Sequence, residues 1–261
     1  MATPRVLVLR APGTNCDEET AFAFEKAGGK ADRVHINRLL EKPSLLGDYQ
    51  IACVPGGFSY GDDVAAGKIL AVQIRHHLAQ TFGEFLERDT LLLGICNGFQ
   101  VLLKSGILLP PAEDGTAKAT LTWNDSGRYE DRWVYLRVDG ERCVFLRGCE
   151  RLYLPVAHAE GKFVPAGDSV FRQLEEDGRL VLRYDTPSGT TEEGVLPFPH
   201  NPNGSIGNVA GMCDASGRVL GLMPHPERHI VRTHHPRWTR SDADYVACGA
   251  KLFENAIGYF A

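Results

Sequence analysis

No stretch of this sequence is apolar for long enough to span a bilayer, so no membrane partner is expected. The opening run Arg5-Val-Leu-Val-Leu is cut off by Arg10 and the turn Ala11-Pro12-Gly13-Thr14, too early for the hydrophobic region of a secretion signal. A basic surplus is also missing. The 28 Lys and Arg stand against 33 Asp and Glu, a net charge of −5, so no broad cationic surface exists to gather phosphates and a nucleic-acid partner is not expected. The seven cysteines are odd in number and form no CxxC unit, which excludes a disulfide framework and implies reduced thiols. Together these absences point to the cytoplasm. There the sequons Asn124-Asp125-Ser126 and Asn203-Gly204-Ser205 have no glycosylating machinery to meet.

What is present is an alternation of strand and helix. With 43% hydrophobic residues, the chain can bury a substantial core, and residues 1–261 read as one domain. Arg5 to Leu9 is a strand; Asn15-Cys16-Asp17-Glu18 reads as a helix N-cap with a carboxylate in the first turn, and Gly28-Gly29 ends that helix. Ala31 to Ile36 and Gln50 to Val54 follow as strands, Val64 to Gln80 as a helix, Thr90 to Ile95 as a strand buried on both faces, and Asn97 to Lys104 as a helix. Parallel strands need crossovers that cover both sheet faces, so this half predicts an α/β fold with ligands at the strands' carboxyl ends. The second half reads as antiparallel additions with little helix: Trp133 to Val138, Leu152 to His158, Leu180 to Tyr184, Ile206 to Met212 and Val219 to Met223. Pro111 to Asp131 and Asp185 to Gly194 read as long surface loops, and Asp242 to Tyr259 as a closing helix.

The strongest chemical signal is Gly94-Ile95-Cys96-Asn97-Gly98, a thiol version of the G-x-S-x-G turn, placed after a buried strand and before a helix. Such a turn pushes the nucleophile into the open, and the helix N-terminus favours thiolate over thiol. The Asn97 N–H is placed to stabilise an oxyanion, and Gly57 in Pro55-Gly56-Gly57-Phe58 can supply a second donor after the third strand. Cys53 and Cys213 read as small core residues, and Cys16, near the end of the first strand, also as structural.

A cysteine nucleophile needs a base and a group that orients the base. Two H-x-E units qualify: His225-Pro226-Glu227 and His158-Ala159-Glu160, each after a strand. The rigid prolines around His225 favour it modestly. Two other patterns carry no function. Gly61 to Lys68 resembles a P-loop but has one residue too many between its glycines, Ile69 where a hydroxyl should be, and two aspartates that repel phosphate. His225, His229, His234 and His235 lack the companion ligands of a zinc site, so no metal is expected.

Gly94-Ile-Cys96-Asn-Gly98, His225-Pro-Glu227 and the turn at Gly56-Gly57 resemble the class I, or triad, glutamine amidotransferases. Arg10 to Asp17, Gly56-Gly-Phe-Ser-Tyr-Gly-Asp62, Leu154-Pro-Val-Ala-His158 and Asn201-Pro-Asn-Gly-Ser205 more narrowly resemble the glutaminase subunits of phosphoribosylformylglycinamidine synthases. The resemblance implies a flavodoxin-like core with Cys96 as nucleophile, His225 as base, Glu227 as orienter, and Gly57 and Asn97 as oxyanion donors. Gln100, His158 and Glu160 would then line the glutamine site. It also implies a larger synthetase partner that uses ATP and magnesium, a small bridging subunit, and a role in purine synthesis within a carbon–nitrogen ligase complex. No cofactor is expected in this chain. Two other classes are compatible with the turn alone: a cysteine hydrolase or other class I amidotransferase on the same core, and a catalytically silent regulatory module.

Overall fold

The computed structural model describes residues 3–189, 194–240 and 247–261. Its first half runs β1 (Arg5–Arg10), α1 (Asp17–Lys26), β2 (Lys30–His35), α2 (Ile36–Glu41), β3 (Ile51–Val54), α3 (Lys68–Gln73), α4 (Ala79–Glu87), β4 (Leu91–Ile95) and α5 (Asn97–Ser105). The second half adds β5 (Ala119–Thr122), β6 (Glu130–Val138), β7 (Arg151–His158), β8 (Lys162–Pro165), α6 (Asp168–Glu176), β9 (Leu182–Asp185), β10 (Val209–Cys213), β11 (Val219–Leu222) and α7 (Ala250–Gly258).

Among the described residues the strands form a nine-stranded sheet, β2-β1-β3-β4-β11-β10-β9-β6-β7, and a separate pair, β5 with β8. Neighbours from β2 to β11 are parallel, whereas β10, β9, β6 and β7 join antiparallel. The expected mixed α/β sheet is therefore present. Every residue of β3 and β4 is buried, as parallel strands covered on both faces require. Helices α1 and α7 meet through the edge-to-face pair Phe24–Phe253, with ring centres 4.9 Å apart. Because β1, β3, β4 and β11 run the same way, the loops that leave them emerge at one edge of the sheet. Those loops carry Cys16, Gly56-Gly57, Cys96 and His225.

Several boundaries differ from the sequence reading for local physical reasons. The helix expected from Val64 starts at Lys68, because Asp62 accepts the Gly67 N–H at 3.0 Å and holds the residues between them as a loop. It then passes through a widened turn at Ile74–Leu78 and continues to Glu87. Helix α1 has no side-chain cap: Asn15 Oδ1 accepts instead from the Cys16 thiol at 3.2 Å, and Asp17 pairs with Arg10 at 2.8 Å. The expected loop Pro111 to Asp131 contains β5, whose partner β8 lies far along the chain. Helix α6 was not expected either. Residues 206–208 form a 3-10 turn ahead of β10, and the closing helix is Ala250–Gly258; positions 242–246 of the expected helix lie outside the described residues.

Helix α5 presses against the sheet at Gly98, where an added Cβ would fall 1.8 Å from the Val54 carbonyl oxygen. Gly98→Ala is expected to lower stability by more than about 3 kcal/mol, measured by urea unfolding. At Gly83, in α4, an added Cβ meets nothing within 4 Å. Gly83→Ala is therefore expected to raise stability by up to about 1 kcal/mol in the same assay.

Candidate active site

Cys96 joins β4 to α5 with φ 50° and ψ −105°, a conformation disfavoured for any residue with a side chain. Its N–H donates to Leu222 O at 2.7 Å, which ties the turn to β11. The flanking glycines make the turn possible: a Cβ on Gly94 would fall 2.8 Å from Gly98 O, and one on Gly98 would strike β3. The sulfur lies 3.6 Å from Ala157 O at the end of β7. It faces a cavity of about 230 Å³ lined among others by Gly57, Asp62, Gln100, Trp123, His158 and Glu160. A larger surface hollow of about 510 Å³ beside Arg137 and Arg183 has neither cysteine nor histidine in its lining, and one of about 520 Å³ is lined by Cys149 and Cys248 but by no histidine.

His225 leaves β11 with its N–H donating to Pro155 O at 2.8 Å. Pro226 opens a single 3-10 turn, Pro226–Arg228, which brings the Glu227 carboxylate back to the ring with Nδ1 to Oε1 at 2.5 Å. Both side chains are buried. Burial lowers the His225 pKa, but the Glu227 carboxylate and the Cys96 sulfur outweigh it and hold the value well above that of ordinary histidine. This environment favours the protonated imidazole beside the Cys96 sulfur.

His158 has a different partner. Its Nδ1 lies 3.1 Å from Asn124 Oδ1, which also accepts the Gly161 N–H at 3.1 Å. Asn124 Nδ2 donates to His158 O and Arg128 O, so the amide orientation is set and Nδ1 must carry the hydrogen. Burial, with a smaller contribution from His225, lowers the His158 pKa to about 3. One histidine of this site is thus biased toward neutrality by burial, the other toward its charged form by a carboxylate.

The remaining predicted site residues converge here with differing freedom. Gly57 packs against the Gly13–Asn15 loop. The Asn97 side chain accepts from Ser59 N at 3.2 Å and donates to Asp62 Oδ1 at 3.1 Å and Gln100 Oε1 at 2.9 Å, which fastens the Gly57 and Cys96 loops together. Gln100 Nε2 donates to Glu160 O, and the Glu160 carboxylate accepts the Ala66 N–H at 3.2 Å and pairs with Lys104 at 3.6 Å. Both residues line the cavity, yet these polar atoms brace its wall. In the P-loop-like segment, Asp62 accepts the Gly67 N–H. His229 and His235 pack on Trp133, away from His225's partners.

Three residues at this site went unassigned from sequence. Asn124 and Asn203, the two sequon asparagines, are buried; Asn203 Nδ2 donates to Gly161 O and to the Tyr184 hydroxyl, each at 2.9 Å, and so holds the turn after His158. Asn203 carried the signal of the block Asn201 to Ser205, whereas Asn124 lay in none of the blocks and read only as a sequon within an expected loop. Cys16, read as structural, lies against the His225–Glu227 pair. Nothing in its own segment reports that neighbour.

Comparison with known proteins is consistent along the whole chain. Residues 3–260 match the model of the CobB/CobQ-like glutamine amidotransferase domain. The chain is similar to phosphoribosylformylglycinamidine synthase subunit PurQ of Dehalococcoides mccartyi, at 47% identity over 258 residues, covering 98% of each chain. It is similar to the PurQ subunit of Methanococcus maripaludis at 38% identity over 268 residues, covering 98% of this chain and 97% of the other. Among solved structures, a chain of PurLQS from Thermotoga maritima superposes with a TM-score of 0.73 at 30% identity, covering 100% of both chains.

The His158 environment makes stability depend on pH. Between the ordinary histidine value of 6.5 and about 3, the unfolded chain binds a proton that folded His158 refuses. Stability must therefore rise with pH through this window and fall as pH drops below 6.5. Urea unfolding at pH 7, 6 and 5 should show wild type losing on the order of 1 kcal/mol per pH unit more than His158→Gln. Parallel curves would contradict the assigned environment.

Proposed function

The chain belongs to the CobB/CobQ-like glutamine amidotransferase family, and from that premise we propose that it is the glutaminase subunit of a phosphoribosylformylglycinamidine synthase, acting through Cys96 as a single domain. The observation that carries the assignment of chemistry is Cys96, held at φ 50° against the cavity and electrostatically coupled to a His225 that Glu227 orients.

In this reading the Cys96 thiolate attacks the side-chain carbonyl carbon of glutamine. The N–H groups of Gly57 and Asn97 receive the developing oxyanion. Imidazolium at His225 gives its proton to the departing amine, ammonia leaves, and a glutamyl thioester remains. Neutral His225 then takes a proton from water, which attacks the thioester, releases glutamate and restores the thiolate. Glu227 stabilises the imidazolium that stands before the first transfer and reforms after the second. The charged state of His225 supports this order, and the neutral, amide-bound state of His158 supports a binding role for that residue rather than proton transfer. Gln100 and Glu160 act as braces of the glutamine pocket.

Ammonia protonated in bulk water loses its nucleophilicity, so the subunit delivers it to a synthetase partner. The PurLQS structure of Thermotoga maritima supports such an assembly. In the assembly proposed for this chain, a larger synthetase subunit uses ATP and magnesium to make formylglycinamidine ribonucleotide in purine synthesis, and a small subunit bridges the two. We read the enzyme as cytoplasmic; no helix among the described residues is long and apolar enough to cross a membrane.

Glutamate and ammonia release should be measured in the assembled complex. Cys96→Ala is expected to reduce glutamine turnover by about 10³-fold or more while leaving synthesis from added ammonia intact. His225→Asn is expected to reduce kcat by about 10²–10⁴-fold, whereas His158→Gln should act mainly on KM. Full turnover in Cys96→Ala would refute the mechanism, and a larger kcat loss in His158→Gln than in His225→Asn would reverse the choice of base.

A further inference from the structure

A second thiol stands beside the His225–Glu227 pair. The Cys16 sulfur, an imidazole nitrogen of His225 and a carboxylate oxygen of Glu227 all lie within 4.8 Å of one another, and all three residues are buried. Thiolate, imidazole and carboxylate together suit a borderline-soft divalent cation such as zinc, and not magnesium or calcium, which take oxygen ligands.

Two independent features point to a ligand here. His225 Nε2 and Glu227 Oε2 are buried atoms without a hydrogen-bond partner among the described residues, in side chains 2% and 0% exposed. Gly56 also keeps open the space between sulfur and ring: a Cβ built on it would fall 3.1 Å from Cys16 Sγ and 2.7 Å from His225 Cε1. Arg228 Nη2 donates to Cys16 Sγ at 3.2 Å, which favours the thiolate a metal requires, although burial raises the thiol pKa. Tetrahedral zinc, with bonds of about 2.0–2.3 Å, sets its ligands about 3.3–3.8 Å apart, so ligand atoms within 4.8 Å of one another need at most a small approach, while the 2.5 Å bond between His225 Nδ1 and Glu227 Oε1 opens to admit the ion.

We propose that Cys16, His225 and Glu227 form an inhibitory site for zinc or a cation of its class, which removes the imidazole from Cys96 when occupied. The inhibition, but not the binding, rests on the catalytic reading of His225. Coordination breaks no covalent bond beyond S–H and N–H: Cys16 and His225 release their protons to solvent, and the metal takes the lone pairs. A chelator reverses it.

Cobalt(II), a spectroscopic substitute for zinc, should be titrated into the full chain bearing Cys96→Ala, so that Cys96 cannot supply the thiolate. A tetrahedral spectrum with a thiolate-to-metal charge-transfer band is expected, and Cys16→Ser should abolish it both alone and in combination with Cys96→Ala. In parallel, zinc should inhibit glutamine turnover by the assembled complex, with recovery on adding EDTA. The zinc concentration giving half inhibition should rise about tenfold or more in both Cys16→Ser and Cys16→Ala. Urea unfolding of each variant checks that it folds. A charge-transfer band that persists in Cys16→Ser, or is absent from Cys96→Ala, would overturn the site. The catalytic reading fails separately, through glutamine turnover that survives in Cys96→Ala.

Discussion

The whole site hangs on one strained peptide turn. Cys96 sits at φ 50° only because α5 approaches β3 more closely than any side chain would permit, and because β11 supplies Leu222 O to the Cys96 N–H. Three parallel strands therefore meet at this residue, and the loops that leave them are brought into register with its sulfur. Were the turn to relax into a regular helix start, the thiol would leave the cavity and the loops would lose their common reference. Strain of about 1–3 kcal/mol persists at such a position when its surroundings over-determine it, and here they do so from both sides.

Around that turn, environment assigns roles to side chains of the same type. His158 and His225 share a short motif, a preceding strand and deep burial, but His158 meets only an amide that does not offset its burial, whereas a carboxylate beside His225 favours its charged form. Desolvation pushes both toward neutrality, and only the adjacent carboxylate and sulfur overcome it. The two thiols differ likewise. Cys96 is aimed at a cavity, whereas Cys16 is pinned between Asn15, Arg228 and the back of the imidazole.

How far the fold could be read depended on where each element finds its partners. β3 and β4 announce themselves, since burial on both faces demands an unbroken apolar run. β5 and β8 do not: each has four residues, alternates buried with half-buried, and exists through pairing with the other. Helix α6 carries only Val170, Phe171 and Leu174 as its apolar stripe, and of these Leu174 alone is buried, the other two packing half-buried against the core. The late start of α3 comes from a single carboxylate closing on Gly67 N–H, a side-chain choice that periodicity cannot record.

The strand-to-helix turn at Cys96, the α/β alternation and the two H-x-E units were determined by the sequence alone, because each depends on residues adjacent in the chain. Only the tertiary structure decided which histidine is charged, that Gln100 and Glu160 brace the wall with their polar atoms, and that Cys16 faces His225. These properties come from burial and from hydrogen-bond partners on distant segments, such as Asn124 for His158 and Arg228 for Cys16. The free energy of a buried polar group depends on who its neighbours are, and the order of residues along the chain does not carry that information.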